Sequence, residues 1–342
     1  MRINERLRRT LYPSENYRAN VFMIKNAVDK HIVRDRVTPH FLTYHFENET
    51  VFAVQFMDFV CLLERICVGV GVSLIKRIGE IRGAETSKYE QIIQALCEIV
   101  IAKKFIEAFP PENGFVFKWE PTDKTKKNPE FMISCSDWRV LVEVKSPSLS
   151  DYEKKNRLAR AQVVGRAPFM KDVIEKLYGK EHVALPLDNK MKDFLVSAEA
   201  KFSSFTSIDV PTYGLLFVCW SQRMFEAITP VTGLGSGLFT EHSFYRNDGV
   251  AIKFPNVSGV IVTAHQHLLG MLLKEWNLPP GIDGFGYGNY WVYGSPANPT
   301  LCDNPVALMP VPMFLQKALH TVPAGQSLDP LSQELDFVHW LG

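Results

Sequence analysis

The sequence predicts an α/β fold of the α+β kind, a mixed central sheet flanked by helices, and three observations carry that prediction. A long amphipathic helical pattern starts at Ser87. Three short extended runs follow it within residues 115–145. A second helical stretch then leads into the strongly apolar strand Gly214-Leu215-Leu216-Phe217-Val218-Cys219-Trp220. The chain's 342 residues, 46% apolar and 22% charged, suffice for one large core or two smaller ones, which excludes disorder and collagen-like repetition. Its 38 Lys+Arg against 37 Asp+Glu leave a formal net charge of +1, so any nucleic-acid surface has to be a local patch.

In chain order, residues 1–85 read as an N-terminal helical, partly basic region. Nine Lys/Arg stand against four acids in Met1–Arg36, either a phosphate-contacting arm or a solvated helical face. The apolar stretch Val51–Ile75 carries Asp58, Glu64 and Arg65, which are costly at a bilayer centre; it reads as buried helix, broken near Gly69-Val70-Gly71. From Ser87, with Thr86 or Ser87 as N-cap, the positions Tyr89, Ile92, Ile93, Leu96, Ile99 and Val100 recur at three- and four-residue spacing. Pro110-Pro111 ends that helix. Extended runs are expected at Phe115–Trp119, Phe131–Ser134 and Trp138–Lys145, separated by turn-rich Pro121-Thr122-Asp123 and Cys135-Ser136-Asp137. A helix from about Asp188 to Phe205 precedes the apolar strand, which closes a core spanning 86–225. Val260–Thr263 looks like another buried strand, within a C-terminal lobe, 226–342.

The segments Pro129-Glu130 and Glu143-Val144-Lys145 hold the chemistry. Side chains alternate along a strand, so Leu141, Glu143 and Lys145 share one face, while Val140, Val142 and Val144 share the other and enter the core. Glu143 and Lys145 then stand about 6.5–7 Å apart along the strand, near enough to serve one phosphate and too far for an ideal direct ion pair. If the two strands pair as a hairpin, Glu130 lies across from Glu143. Two converging carboxylates disfavour each other's ionised form unless a cation sits between them. Magnesium suits that place, since it takes few protein carboxylates, keeps several waters and accepts phosphate oxygens. Lys145 is then placed to orient a water or to neutralise the charge that develops on a phosphate under attack. A Glu-x-Lys on an amphipathic strand also suits a solvated face, and Pro-Glu also simply opens strands.

With Tyr89-Glu90 on the preceding helix, Pro129-Glu130, a gap of twelve residues, Glu143-Val144-Lys145 and the order αβββαβ, the region from Ser87 to Trp220 resembles the PD-(D/E)XK phosphodiesterases, which include restriction endonucleases and repair nucleases. The resemblance implies a restriction-endonuclease-like core and a metal-dependent nuclease, most simply a DNA endonuclease. Glu130, Glu143 and Lys145 would be catalytic, and Glu90, Glu130 and Glu143 would hold Mg2+, or Mn2+ in its place. Glu130 departs from the family's aspartate by one methylene. Asp137 is a fallback ligand, and Glu98 a fallback for Glu90, although eight residues leave it about 80° around the helix. The family's glutamine and aromatic on the second helix find only Glu199 and Phe202 here, and that feature is not carried over. The alternative is a non-catalytic nucleic-acid or protein-binding module that keeps the nuclease fold.

Lys124, Lys126 and Lys127, just before Pro129, and Lys154, Lys155 and Arg157, after the third strand, are the candidate nucleic-acid contacts. The resemblance makes DNA the partner and is compatible with a homodimer. His265 and His267, at i, i+2 on an expected extended segment, lack a third metal-ligating partner and read as satisfied or exposed histidines. Six scattered cysteines without a CxxC pair read as small buried hydrophobes in a reducing compartment. With no signal-like start and no span, the expected location is cytoplasmic, away from membranes.

Overall fold

The computed structural model describes residues 14–34, 38, 40–122, 128–149, 152, 154, 159–162, 168–184, 188–206, 209–221, 223–274, 284–288, 290–292, 295–327 and 339–340. The chain divides into two compact units, Met1–Ala95 and Leu96–Gly342. Among the described residues no helix is long and apolar enough to cross a membrane.

The N-terminal unit is helical among its described residues. Helix α1 (Ser14–Val28) runs into a π-helical turn (Asp29–Val33) and is followed by α2 (Thr43–Glu47), α3 (Val51–Ile66) and α4 (Val70–Gly79). The expected break between α3 and α4 occurs at Gly69, whose φ of 89° belongs to the left-handed region that glycine enters without steric cost. Glu64, buried near the end of α3, has a local structural task. Its carboxylate accepts from the backbone N–H of Gly69 at 2.6 Å and of Val72 at 3.2 Å, satisfying donors at the start of α4. Ile24, Ile32, Phe52, Phe56, Leu63, Leu74 and Ile78 are fully buried or nearly so and form the core of this unit. Helix α5 (Thr86–Ala108) starts at the expected cap region and contains the boundary between the units.

The C-terminal unit is built on a seven-stranded mixed sheet in which β1 (Val116–Trp119), β2 (Phe131–Ser134) and β3 (Arg139–Lys145) form an antiparallel meander. Strand β4 (Thr212–Cys219) pairs parallel with β3, and β5 (Gly259–Thr263) pairs parallel with β4. Strands β6 (Thr300–Asp303, antiparallel to β5) and β7 (Val322–Pro323, parallel to β6) complete the order β1-β2-β3-β4-β5-β6-β7. The region beyond residue 226, expected to be a lobe of its own, thus supplies three strands to the central sheet. Of these, β5 is the strand expected at Val260–Thr263, while β6 and β7 lie in the Gly- and Pro-rich tail without periodicity.

Both faces of β3 are covered, so Leu141 and Glu143 are as buried as Val140, Val142 and Val144. On one face Phe105 of α5 packs edge-on against Phe131 and Phe217, at centroid distances of 5.4 and 5.8 Å. On the other, Met132, Leu141, Leu216 and Val218 join Met191, Leu195, Ala198 and Phe202 in one cluster. Those last four lie along one stripe of helix α7 (Asp188–Phe202), which follows α6 (Pro168–Tyr178) in the chain. Trp220 and the helix α8 (Phe225–Thr232) extend the same cluster.

The join between sheet and α7 leaves no room at Gly214 of β4. A Cβ there would stand 2.2 Å from the Asn256 carbonyl oxygen and 2.5 Å from the Phe202 ring. The flanking backbone is pinned as well, since Ser258 N–H donates to Gly214 O at 2.7 Å and Gly214 N–H to Ser258 Oγ at 3.1 Å. Gly214→Ala is therefore expected to lower unfolding stability by about 1–3 kcal/mol, as overpacking of a dense core does. Denaturant titration measures it, and an unchanged midpoint would show that the Phe202 ring yields freely.

Candidate active site

The pairing of β2 with β3 decides where the two acids meet. Phe131 stands opposite Val142 and Met132 opposite Leu141, and Glu130 N–H donates to Val142 O at 2.9 Å. Glu130 therefore stands across from Glu143, on the same face of the sheet. Glu120 N–H donates to Glu130 O at 2.8 Å, which ties the same point to the end of β1. The hairpin expected from sequence is present, with the expected neighbours.

Glu143 has no exposed side-chain surface and is held by two ammonium groups. Lys145 Nζ lies 2.6 Å from its Oε1. Lys201 Nζ, from the last turn of α7, donates to Oε1 and Oε2 at 2.7 and 2.8 Å, and stands 3.8 Å from Glu130 Oε1. The expectation that Glu143 and Lys145 are too far apart for a direct ion pair is corrected here, because strand spacing separates Cα atoms while the four-carbon lysine stem folds back across the gap. The lysine side chains keep about a fifth of their surface exposed, 19% for Lys145 and 22% for Lys201, while Glu143 keeps none.

Glu98, buried on α5, completes the electrostatics. Burial first, and then the Glu98 and Glu143 carboxylates, push the Glu130 carboxyl up to about 8, against the pull of Lys201 and Lys145. Burial alone would lower the Lys145 ammonium. Glu143 in contact with it, with Glu130 and Glu98 nearby, outweighs that and raises it.

The expected residues are distributed unevenly. Glu130, Glu143 and Lys145 come together. Glu90 is half-buried on α5 in the N-terminal unit, while Glu98, two turns further along the helix, is the acid that acts on Glu130. Asp137 accepts from Ser136 Oγ at 2.7 Å in the turn before β3, six residues from Glu143 and hence about 20 Å away along the strand. Lys154 is exposed, whereas Lys124, Lys126, Lys127, Lys155 and Arg157 lie outside the described residues. His265 and His267 open helix α9 (His265–Leu273) rather than an extended segment. Two residues on a helix are about 200° apart, which splits them, His265 fully buried and His267 half-buried.

Lys201 is the member that sequence reasoning missed. A lysine in the last turn of a helix is ordinarily explained by the helix dipole and by solvent. The available signal was its position beside Ala198 and Phe202, at the margin of the buried stripe. Glu199, considered instead, accepts from Asn256 N–H and Nδ2 at 2.9 and 2.6 Å and fastens the loop before β5.

Among the described residues, no three His, Cys, Asp or Glu side chains are grouped so as to hold a metal ion. The donor set does fit a hard divalent cation in kind, with two facing carboxylates of which Glu130 is disfavoured as an anion by burial and then by its neighbouring acids. Compared with models of protein families, with curated proteins and with solved structures, the chain finds no match in any of the three.

The raised Glu130 carboxyl gives a pH signature in chelator. Its ordinary value is 4.5 and its folded value about 8, so between those limits the unfolded chain has released a proton that the folded chain retains. Stability is therefore expected to fall as pH rises from about 4.5 to 8 and to level off above. Glu130→Gln should flatten that slope in melting curves recorded across the interval; parallel slopes for the two proteins would contradict the assignment.

Proposed function

We propose that the chain is a metal-dependent nuclease that hydrolyses phosphodiester bonds, acting most simply as a DNA endonuclease with a restriction-like core. The observation that carries this reading is the meeting of Glu130, Glu143 and Lys145 on one sheet face, two acids across a hairpin with a lysine in contact. The succession of α5, the meander β1 to β3, α7 and parallel β4 supports it, with α6 and short strands inserted between β3 and α7.

In this reading Glu130 and Glu143 hold Mg2+, or Mn2+ in its place, and Glu98, not Glu90, is the further acid that acts on Glu130. The ion, when bound, supplies Lewis-acid polarisation of the scissile phosphate and an acidified water. The protein's own groups do the rest. Lys145, fixed by its contact with Glu143, orients the attacking water and offsets the negative charge gathering on the phosphate oxygens. The water oxygen forms the new bond to phosphorus and loses a proton, one ester P–O bond breaks, and the departing oxygen gains a proton. Exposed Lys154, with the basic residues expected around it, offers a place for the nucleic-acid backbone.

A second reading, a non-catalytic binding module on the same fold, draws on a specific observation: both oxygens of Glu143 are already neutralised by lysines. Incubation with supercoiled and linear DNA in Mg2+ or Mn2+ separates the two. Metal-dependent cleavage is expected, reduced at least about a hundredfold in Glu143→Ala and Lys145→Ala variants whose folding has been checked by circular dichroism. DNA and RNA left intact under every metal, together with a melting temperature indifferent to metal, would instead establish the binding module.

A further inference from the structure

The ammonium of Lys201 stands in the position that chemistry reserves for a cation. It bonds both oxygens of the fully buried Glu143, at 2.7 and 2.8 Å, and lies 3.8 Å from Glu130 Oε1, so it bridges the two acids that face each other across β2 and β3. Lys145 also contacts Glu143, at 2.6 Å from Oε1. The attachments of the two lysines differ. Lys145 is carried by the strand itself, whereas Lys201 comes from the last turn of α7 with 22% of its side chain exposed, beside a backbone that ends two residues later in turns. Lys201 can therefore swing its head to solvent without moving the sheet, at the expense of a flexible side chain's contacts only.

We propose that Lys201 is a built-in counter-ion that competes with a divalent cation for the Glu130–Glu143 pair. With no divalent ion, its single positive charge keeps two close carboxylates compatible with burial. A divalent ion brings twice the charge to the same oxygens, and the Lys201 ammonium is released toward solvent, where an anionic substrate oxygen is its natural new partner. The inference rests on the metal-binding reading and adds a consequence that reading does not contain: the chain's own lysine sets the affinity for the ion.

Calorimetric titration of Mn2+ into wild type, Lys201→Gln, Lys201→Arg and Glu143→Gln tests this without any turnover. Removing the competing charge in Lys201→Gln is expected to tighten Mn2+ binding by about tenfold or more, while Lys201→Arg, which keeps a cation there, stays near wild type and Glu143→Gln binds no ion. The same order is expected in the rise of melting temperature with added Mn2+, which also shows that each variant is folded. Binding in Lys201→Gln where wild type shows none would support the proposal in its strongest form. Equal affinity in wild type and Lys201→Gln, or weaker binding in the variant, would overturn the proposal and leave the metal reading standing. Absence of binding in wild type and all folded variants would overturn both, through the loss of the metal reading itself.

Discussion

A carboxylate with no exposed surface has to be neutralised where it lies, and Glu143 sets that requirement at the centre of β3. Leaving water is costly for such a group, and direct ammonium contacts with good geometry are what make it tolerable. The two lysines that meet the need come from different elements, Lys145 from the same strand and Lys201 from α7. The β2–β3 register, the seating of α7 on the sheet and the burial of Glu98 all converge on this one charge. A structural core has no use for such a cluster if apolar side chains of the same volume would fill the place as well.

The helix that covers the acids does so for apolar reasons. Met191, Leu195, Ala198 and Phe202 form a continuous stripe that packs on Leu141, Leu216 and Val218, and the close approach at Gly214 fixes how far along the sheet the helix end reaches. Lys201 is delivered to Glu143 as a consequence of that packing. Glu199, one turn from Ser203, is engaged instead with the Asn256 loop, so adjacent polar residues of one helix end have separate tasks.

Glu130 shows how a site of mixed charge divides its strain. Glu143 has two direct lysine contacts, while Glu130 is buried, faces Glu98 and Glu143, and has the longer approach of Lys201 and the pull of Lys145 against them. Burial and the neighbouring acids together push the Glu130 carboxyl toward its neutral form.

The local pattern was legible in the chain itself. Short apolar runs between turn residues placed β2 and β3, helical periodicity placed α5, and a hairpin between the two runs, once formed, sets Glu130 across from Glu143. Composition, net charge and the break at Gly69 were equally local properties. What the tertiary structure alone decided involves residues distant in sequence. Lys201 reaches Glu143 across 58 positions, Glu98 lies near enough to act on Glu130 across 32, and three strands beyond residue 258 join a sheet begun at Val116. The reason is physical: a strand's alternation says which side chains share a face but not what covers that face. A Glu-x-Lys exposed to water and one buried under a helix read alike until the helix is in place.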